Sequence, residues 1–282
     1  MYYLKTIRIA LRVVRFFNEK AYLHILLRLF NRPPKRKTLK INSSYGFEVL
    51  DYKINDNLEF TLYQKGYSDI LIIFAHGWGS KFQDFKHFFQ PIFREDISII
   101  GFDAPAHGSS PGKFTNILKF KEIVKHCLQE IQGQKEIVVI GHSIGASAAA
   151  LAILEVPKIK ISCFFLIAAP SNLTKILDNF AGTMGCSKKD KTALEEKIKK
   201  TYKIDFKTNS LINNDRPTNV QQIILIHDRA DEKMVYDESI DLAYRWKINE
   251  NKDIWTIENS GHHKILKNKS VIENIISKIL PR

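Results

Sequence analysis

Six short stretches of this sequence are apolar without alternation: Ile70–Ala75, Ile97–Phe102, Ile137–Gly141, Cys163–Ala168, Ile223–Ile226 and Ile254–Ile257. A strand with one wet face alternates apolar and polar side chains. A continuous run needs apolar surroundings on both faces, as in a parallel sheet covered by helices. Helix-length segments separate the runs, at about 81–92, 115–132, 144–155, 237–247 and 268–280. Strand and helix therefore alternate along most of the chain. That pattern predicts an α/β fold with a mostly parallel central sheet flanked by helices. Upstream, Phe47–Ile54 and Leu58–Tyr63 are joined by Asn55-Asp56-Asn57 and predict a hairpin.

Two regions depart from the rhythm. Residues 171–219 are too long for a connection in a compact sheet and carry two helical patterns, about 172–182 and 188–203. They predict a short helical lid inserted into the core. Residues 3–31 predict one amphipathic helix: Lys5, Arg8, Arg12, Arg15 and Glu19 form a charged stripe that Lys20, His24, Arg28 and Arg32 continue. Pro33-Pro34 stops it and Lys35-Arg36-Lys37 begins a basic linker. The predicted parts are thus residues 1–40 as helix and linker, 41–170 with 220–282 as the α/β core, and 171–219 as the lid. The helix's apolar face is too broad to leave in water. Packing on the body of the protein is the expected cover, and weak peripheral contact with a membrane surface is the alternative.

The net charge of +13 suggests nucleic acid until it is mapped. Residues 1–40 hold eleven Lys/Arg against Glu19, a net of +10, and the other 242 residues are nearly balanced at +3. The basicity belongs to the arm, which has a broad apolar face and few polar side chains for reading bases, so no nucleic-acid partner is expected. No apolar run reaches a membrane span, and Arg8, Arg12 and Arg15 interrupt what would otherwise look like a secretion signal. Three cysteines, Cys127, Cys163 and Cys186, lack metal-ligand spacing and fit a reducing, cytoplasmic setting.

The strongest chemical signal is Gly141-His142-Ser143-Ile144-Gly145, directly after one apolar run and before the small residues Ala146–Ala150. A serine on so sharp a strand-to-helix turn needs glycine two positions to either side, where side chains would collide. Gly108–Lys113 reads G-S-S-P-G-K, but it is one residue short of a phosphate-binding loop, and Phe114 stands where a magnesium-binding Ser or Thr is required. Acyl transfer by serine also needs a base and a carboxylate to orient it. Candidates follow the last two runs: His227-Asp228-Arg229-Ala230-Asp231 and Gly261-His262-His263.

With His76-Gly77-Trp78-Gly79 after the first run and Asp103-Ala104-Pro105-Ala106-His107-Gly108-Ser109 after the second, the chain resembles the α/β-hydrolase family over about residues 45–280. The resemblance implies a serine hydrolase with Ser143 as nucleophile, Asp231 as acid and His262 as base, in the family's order. Asp231 is preferred to Asp228 because the family's acid stands four residues after the strand-end histidine, and His262 to His263 because it follows the glycine directly. The position after Ala168, the family's other acid location, holds no Asp or Glu, and Val235 stands where the family often has proline. The resemblance further implies an oxyanion hole from the backbone N–H groups of Trp78 and Ile144, and a structural turn at Asp103–Ser109. His76, His107, His142 and His227 are expected to satisfy backbone groups.

The expected substrate is a small acyl ester or thioester. Phe82, Phe85, Phe180 and Met184 are candidates for an apolar acyl pocket. Such chemistry needs no metal, nucleotide or flavin, and a metal site at His227, Asp228 and His263 is disfavoured. The same constellation serves amidases and acyltransferases, and a non-catalytic binding protein is the reading from another class.

Overall fold

In the computed structural model, residues 2–34, 45–94, 96–130, 133 and 136–280 are described; the linker residues Lys35-Arg36-Lys37 lie outside them. The strands are β1 (Glu48–Asn55), β2 (Leu58–Lys65), β3 (Ile70–Ala75), β4 (Ile97–Asp103), β5 (Glu136–His142), β6 (Ile161–Ile167), β7 (Val220–Asp228) and β8 (Ile254–Ile257). The helices are α1 (Tyr2–Phe17), α2 (Glu19–Phe30), α3 (Lys86–Ile92), α4 (Ile117–Gln129), α5 (Ile144–Leu154), α6 (Leu173–Met184), α7 (Lys188–Tyr202), α8 (Asp237–Trp246), α9 (Glu250–Asp253), α10 (Gly261–Lys264) and α11 (Lys269–Ile279). They divide into two compact units, residues 33–171 with 215–282, and residues 1–32 with 172–214.

The first unit holds the eight-stranded sheet, in the order β1-β2-β4-β3-β5-β6-β7-β8. β2 runs antiparallel to β1 and β4, and every pairing from β4 to β8 is parallel. Continuous apolar runs became parallel strands because both faces are covered. Ile72, Phe74, Val138, Ile140, Phe165 and Ile224 share one core cluster with Phe88 and Phe89 of α3 and with Val271 and Ile275 of α11. The intervening Leu71, Ile73, Ile137, Val139, Phe164 and Ile223 are equally buried, and strand periodicity turns them to the opposite face. α5 packs there with α4 beside it. From Ile144 to Ile153 every residue of α5 is buried, which its alanines permit by letting helix and sheet approach closely. The sheet order reverses direction at β3, since β4 follows on one side of it and β5 on the other. Loops at the carboxyl ends of strands around such a point converge on a crevice.

The second unit is helical. Here the structure departs from the single helix expected over 3–31. Asn18 interrupts it with extended backbone (φ −156°, ψ 97°), and its side chain accepts a hydrogen bond from the N–H of Ala21, capping α2. The arm's buried side chains, Leu11, Tyr22, Leu26 and Leu27, have Leu177, Ala181, Leu194 and Ile198 of the inserted helices α6 and α7 as their counterparts in this unit. Phe30 stands edge-on to Phe180, and Arg8 Nε donates to the Thr183 carbonyl at 2.9 Å. Arg15 pairs with Asp190 at 3.0 Å. Arm and insertion, read from sequence as separate parts, fold together.

Candidate active site

Ser143 stands between the end of β5 and the first turn of α5 with φ 53° and ψ −131°. Left-handed backbone is strained for a residue with a side chain, so the surroundings must hold it. A Cβ at Gly141 would lie 2.4 Å from the Ala146 Cα, and one at Gly145 2.2 Å from the His76 carbonyl oxygen. Only glycine fits at either place. The Ser143 N–H donates to the Ile167 carbonyl at 2.8 Å, tying the turn to β6.

Two loops from neighbouring strands meet this serine. His262 Nε2 lies 3.0 Å from Ser143 Oγ, and His262 Nδ1 lies 2.7 Å from Asp231 Oδ2. All three side chains are buried. Burial opposes ionisation of Asp231, yet hydrogen bonds from His227, His262 and the Met234 N–H outweigh it and hold the carboxyl below the usual range. An ionised carboxylate only accepts, so Nδ1 of His262 carries the proton and Nε2 presents a lone pair to the serine hydroxyl. The other carboxylate oxygen, Oδ1, accepts from the N–H groups of Lys233 at 2.8 Å and Met234 at 2.9 Å.

The neighbouring residues have different partners. Asp228 accepts from the N–H groups of Ala230 and Ser260, bracing the β7 and β8 loops together. His263 Nε2 lies 2.7 Å from Lys233 Nζ. Among the described residues, His142, His262 and His263 could bring three ligand atoms within 4.8 Å of one another. His262 has both nitrogens engaged, so its use as a ligand would break its contacts with Ser143 and Asp231, whereas His142 Nδ1 is buried without a hydrogen-bond partner.

The loop after β3 lies against the serine. A Cβ at Gly77 would come within 3.0 Å of Ser143 Cβ. Trp78 follows on this loop, half-buried, while Ile144 opens α5 with an N–H that has no partner within the helix. The loop is held by neutral histidines. His76 accepts from the Ala104 N–H at 2.9 Å and donates to the Gly77 carbonyl at 2.8 Å. His107 accepts from the Gly79 N–H at 2.8 Å. Burial lowers His76 to about 4 and, with the neighbouring His76, lowers His107 to about 3. Asp103 is buried and accepts from the Phe82 and Ser109 N–H groups and the Tyr63 hydroxyl, and a Cβ at Gly108 would strike its carboxylate.

One contact escaped the sequence reading, and one of the backbone contacts expected of the histidines joins two loops. His227 Nε2, besides meeting the Met234 carbonyl, lies 3.3 Å from Asp231 Oδ2, and its Nδ1 lies 2.6 Å from Ser239 Oγ. His142 Nε2 lies 2.8 Å from the His262 carbonyl, pinning that loop to the serine turn. The four-residue spacing from His227 to Asp231 was the available signal for the first. Two pocket assignments need correction. Phe82 and Phe85 have no exposed surface and belong to the sheet's core cluster, because the turn Phe82–Phe85 points them onto β3 and β4. Phe180 packs on Phe30 within the helical unit, and Met184 is half-buried in the last turn of α6.

A family model described as "Serine aminopeptidase, S33" matches residues 67–241. The chain belongs to that family of α/β-hydrolases. It is 32% identical over 143 residues to "Putative esterase/lipase 2" of Mycoplasma genitalium, covering 48% of this chain and 53% of that protein. Its namesake in Mycoplasma pneumoniae is 35% identical over 107 residues, covering 37% and 39%. The chain thus matches about half or less of the length of these curated relatives. An esterase of Pyrococcus furiosus shares the fold, with a TM-score of 0.60 at 24% identity over 88% of this chain and 94% of that one. So does alpha/beta hydrolase domain-containing protein 10 from mouse, with a TM-score of 0.60 at 18% identity over 83% and 96%.

Proposed function

We propose that the protein is a serine hydrolase that cleaves a carboxylic ester through an acyl-enzyme intermediate. The observation that carries this reading is the continuous hydrogen-bond chain from Ser143 Oγ through His262 to Asp231, built on a strained turn. Ser143 Oγ attacks the acyl carbon while His262 Nε2 takes its proton. The ionised Asp231 offsets the imidazolium charge and keeps Nδ1 as donor. The N–H groups of Trp78 and Ile144 receive the negative oxygen of the tetrahedral intermediate, the term that often contributes most to the rate. As it collapses, His262 returns the proton to the leaving alkoxide. Water, deprotonated by the same nitrogen, then releases the acid and restores Ser143.

The names of the Mycoplasma relatives favour an ester substrate. A second reading, hydrolysis of an amide at a peptide's amino terminus, has the family model's description in its favour. A panel of nitrophenyl esters, acyl thioesters and aminoacyl nitroanilides, run on wild type and Ser143→Ala, separates them. Ester turnover that vanishes in the variant supports the proposal. Turnover confined to anilides would move it to the second reading, and activity that survives the substitution would overturn both.

A further inference from the structure

α1 has two apolar faces, and its own unit covers only one. Leu11 is buried, with Ile7 and Val14 half-buried beside it on the covered face. The other face carries Ile9, Val13, Phe16 and Phe17, which are 61%, 52%, 85% and 80% exposed. At 3.6 residues per turn these four fall within an arc of about 100°, centred opposite Leu11. Leu4, 39% exposed, lies on the Leu11 side of α1, and the other large exposed apolar side chains among the described residues, Val49, Tyr67, Val235 and Tyr244, are scattered over β1, two loops and α8. Scattered exposure is ordinary, whereas a clustered stripe on one helix needs an occupant.

Charge decides which occupant fits. Arg8 and Arg15 point into the unit, on the Thr183 carbonyl and Asp190. Lys5 and Arg12 are exposed and border the stripe on its Phe16 edge, and Lys20 is exposed just beyond it on α2. α1 contains no Asp or Glu. A second copy packed face to face would set Lys5 and Arg12 against their own kind. A surface that accepts two phenylalanines and presents negative charge at their rim has the chemistry of an anionic lipid interface. No helix among the described residues is long and apolar enough to cross a membrane, so such a helix would lie in the interface plane. We propose that the Ile9-Val13-Phe16-Phe17 face of α1, with Lys5 and Arg12, docks the protein on an anionic membrane surface.

The test is sedimentation of the full chain with vesicles of phosphatidylcholine alone or mixed with phosphatidylglycerol, alongside the mass of the lipid-free protein in solution. Wild type is expected to bind the mixed vesicles preferentially and to release them at high salt. Phe16→Ser with Phe17→Ser, and separately Lys5→Glu with Arg12→Glu, should each weaken binding by about tenfold or more. Melting temperature and turnover of a soluble short-chain ester should be unchanged, which separates lost docking from lost folding. Vesicle binding that is absent in wild type, or equal in wild type and the double phenylalanine variant, would overturn the proposal. So would a wild-type dimer that Phe16→Ser with Phe17→Ser converts to monomer, because a second copy would then be the occupant.

Discussion

The two compact units satisfy their side chains differently. In the sheet unit, α5 is buried on every side and departures from ordinary packing are polar: a serine at φ 53°, buried carboxylates, and neutral histidines at strand ends. In the helical unit polar departures are fewer, with Asp190 buried inside the cap of α7 and Asn31 Oδ1 buried without a partner, and the larger departure is an apolar stripe in water. One unit thus holds strain around a buried serine hydroxyl, and the other holds unburied surface. Substitutions in the two should therefore fail in different ways, chemistry in one and adhesion or assembly in the other.

The largest expected effect is at the strained serine. Ser143→Ala should lower kcat by roughly five to six orders of magnitude, with the melting temperature unchanged or raised because only a hydroxyl is removed. Single-turnover kinetics and calorimetry check this pair of outcomes. A variant that keeps more than about a tenth of the activity would break the comparison by moving the chemistry elsewhere.

Next come the two aspartates of one loop. Asp231→Asn should lower kcat by about four orders of magnitude, since the amide can turn an N–H to His262 and select the wrong tautomer. Asp228→Asn should act mainly on stability, because its carboxylate braces the Ala230 and Ser260 N–H groups. The pH dependence separates them further. The folded carboxyl of Asp231 is held below its unfolded value, so its contribution is fully present above about pH 4. It is lost as pH falls through the lowered folded value. The gap in melting temperature between wild type and Asp231→Asn should be constant from neutrality to mildly acid pH and narrow below that. A gap that widens on acidification would mean the carboxyl is not held ionised.

The sheet was legible in the sequence because burial on both faces leaves an unbroken apolar run, and β3 to β8 coincide with those runs within a few residues. The site was legible as residue types at the ends of runs. What was not legible depended on side-chain direction. Phe82 and Phe85 have the composition of a pocket and the geometry of a core, decided by a single turn of helix after Lys81. The break at Asn18 was hidden because the charged stripe continues across it. Asn18 with Glu19 is a local capping signal that a search for periodicity passes over. The union of arm and insertion could not be read at all, since their helices lie far apart in the chain.

Within the helical unit, stability should follow apolar burial. Leu26 is fully buried, and Leu26→Ala should cost about 2–5 kcal/mol, read from the urea midpoint. Removing residues 1–32 should cause aggregation by uncovering Leu177, Leu194 and Ile198. A truncated protein that melts like wild type would mean the inserted helices do not need the arm, and the unit would cease to be one.

The smallest effect tests whether charge also holds the arm. Arg15 is 40% exposed, whereas the side chain of its partner Asp190 is 3% exposed. Asp190 also accepts from the Ser187 N–H at 2.9 Å and the Ser187 hydroxyl at 2.7 Å. Loss of the guanidinium therefore leaves a buried carboxylate that still has two donors, and Arg15→Ala should cost only about 1 kcal/mol. The exposed part of the pairing is screened by salt, so that cost should shrink in concentrated sodium chloride. Asp190→Ala removes both the pair and the reciprocal cap of α7, and should cost about 1–2 kcal/mol more. Equal losses from the two substitutions in urea titrations would make the ion pair, rather than the cap and the leucines around it, the fastening between the arm and the inserted helices.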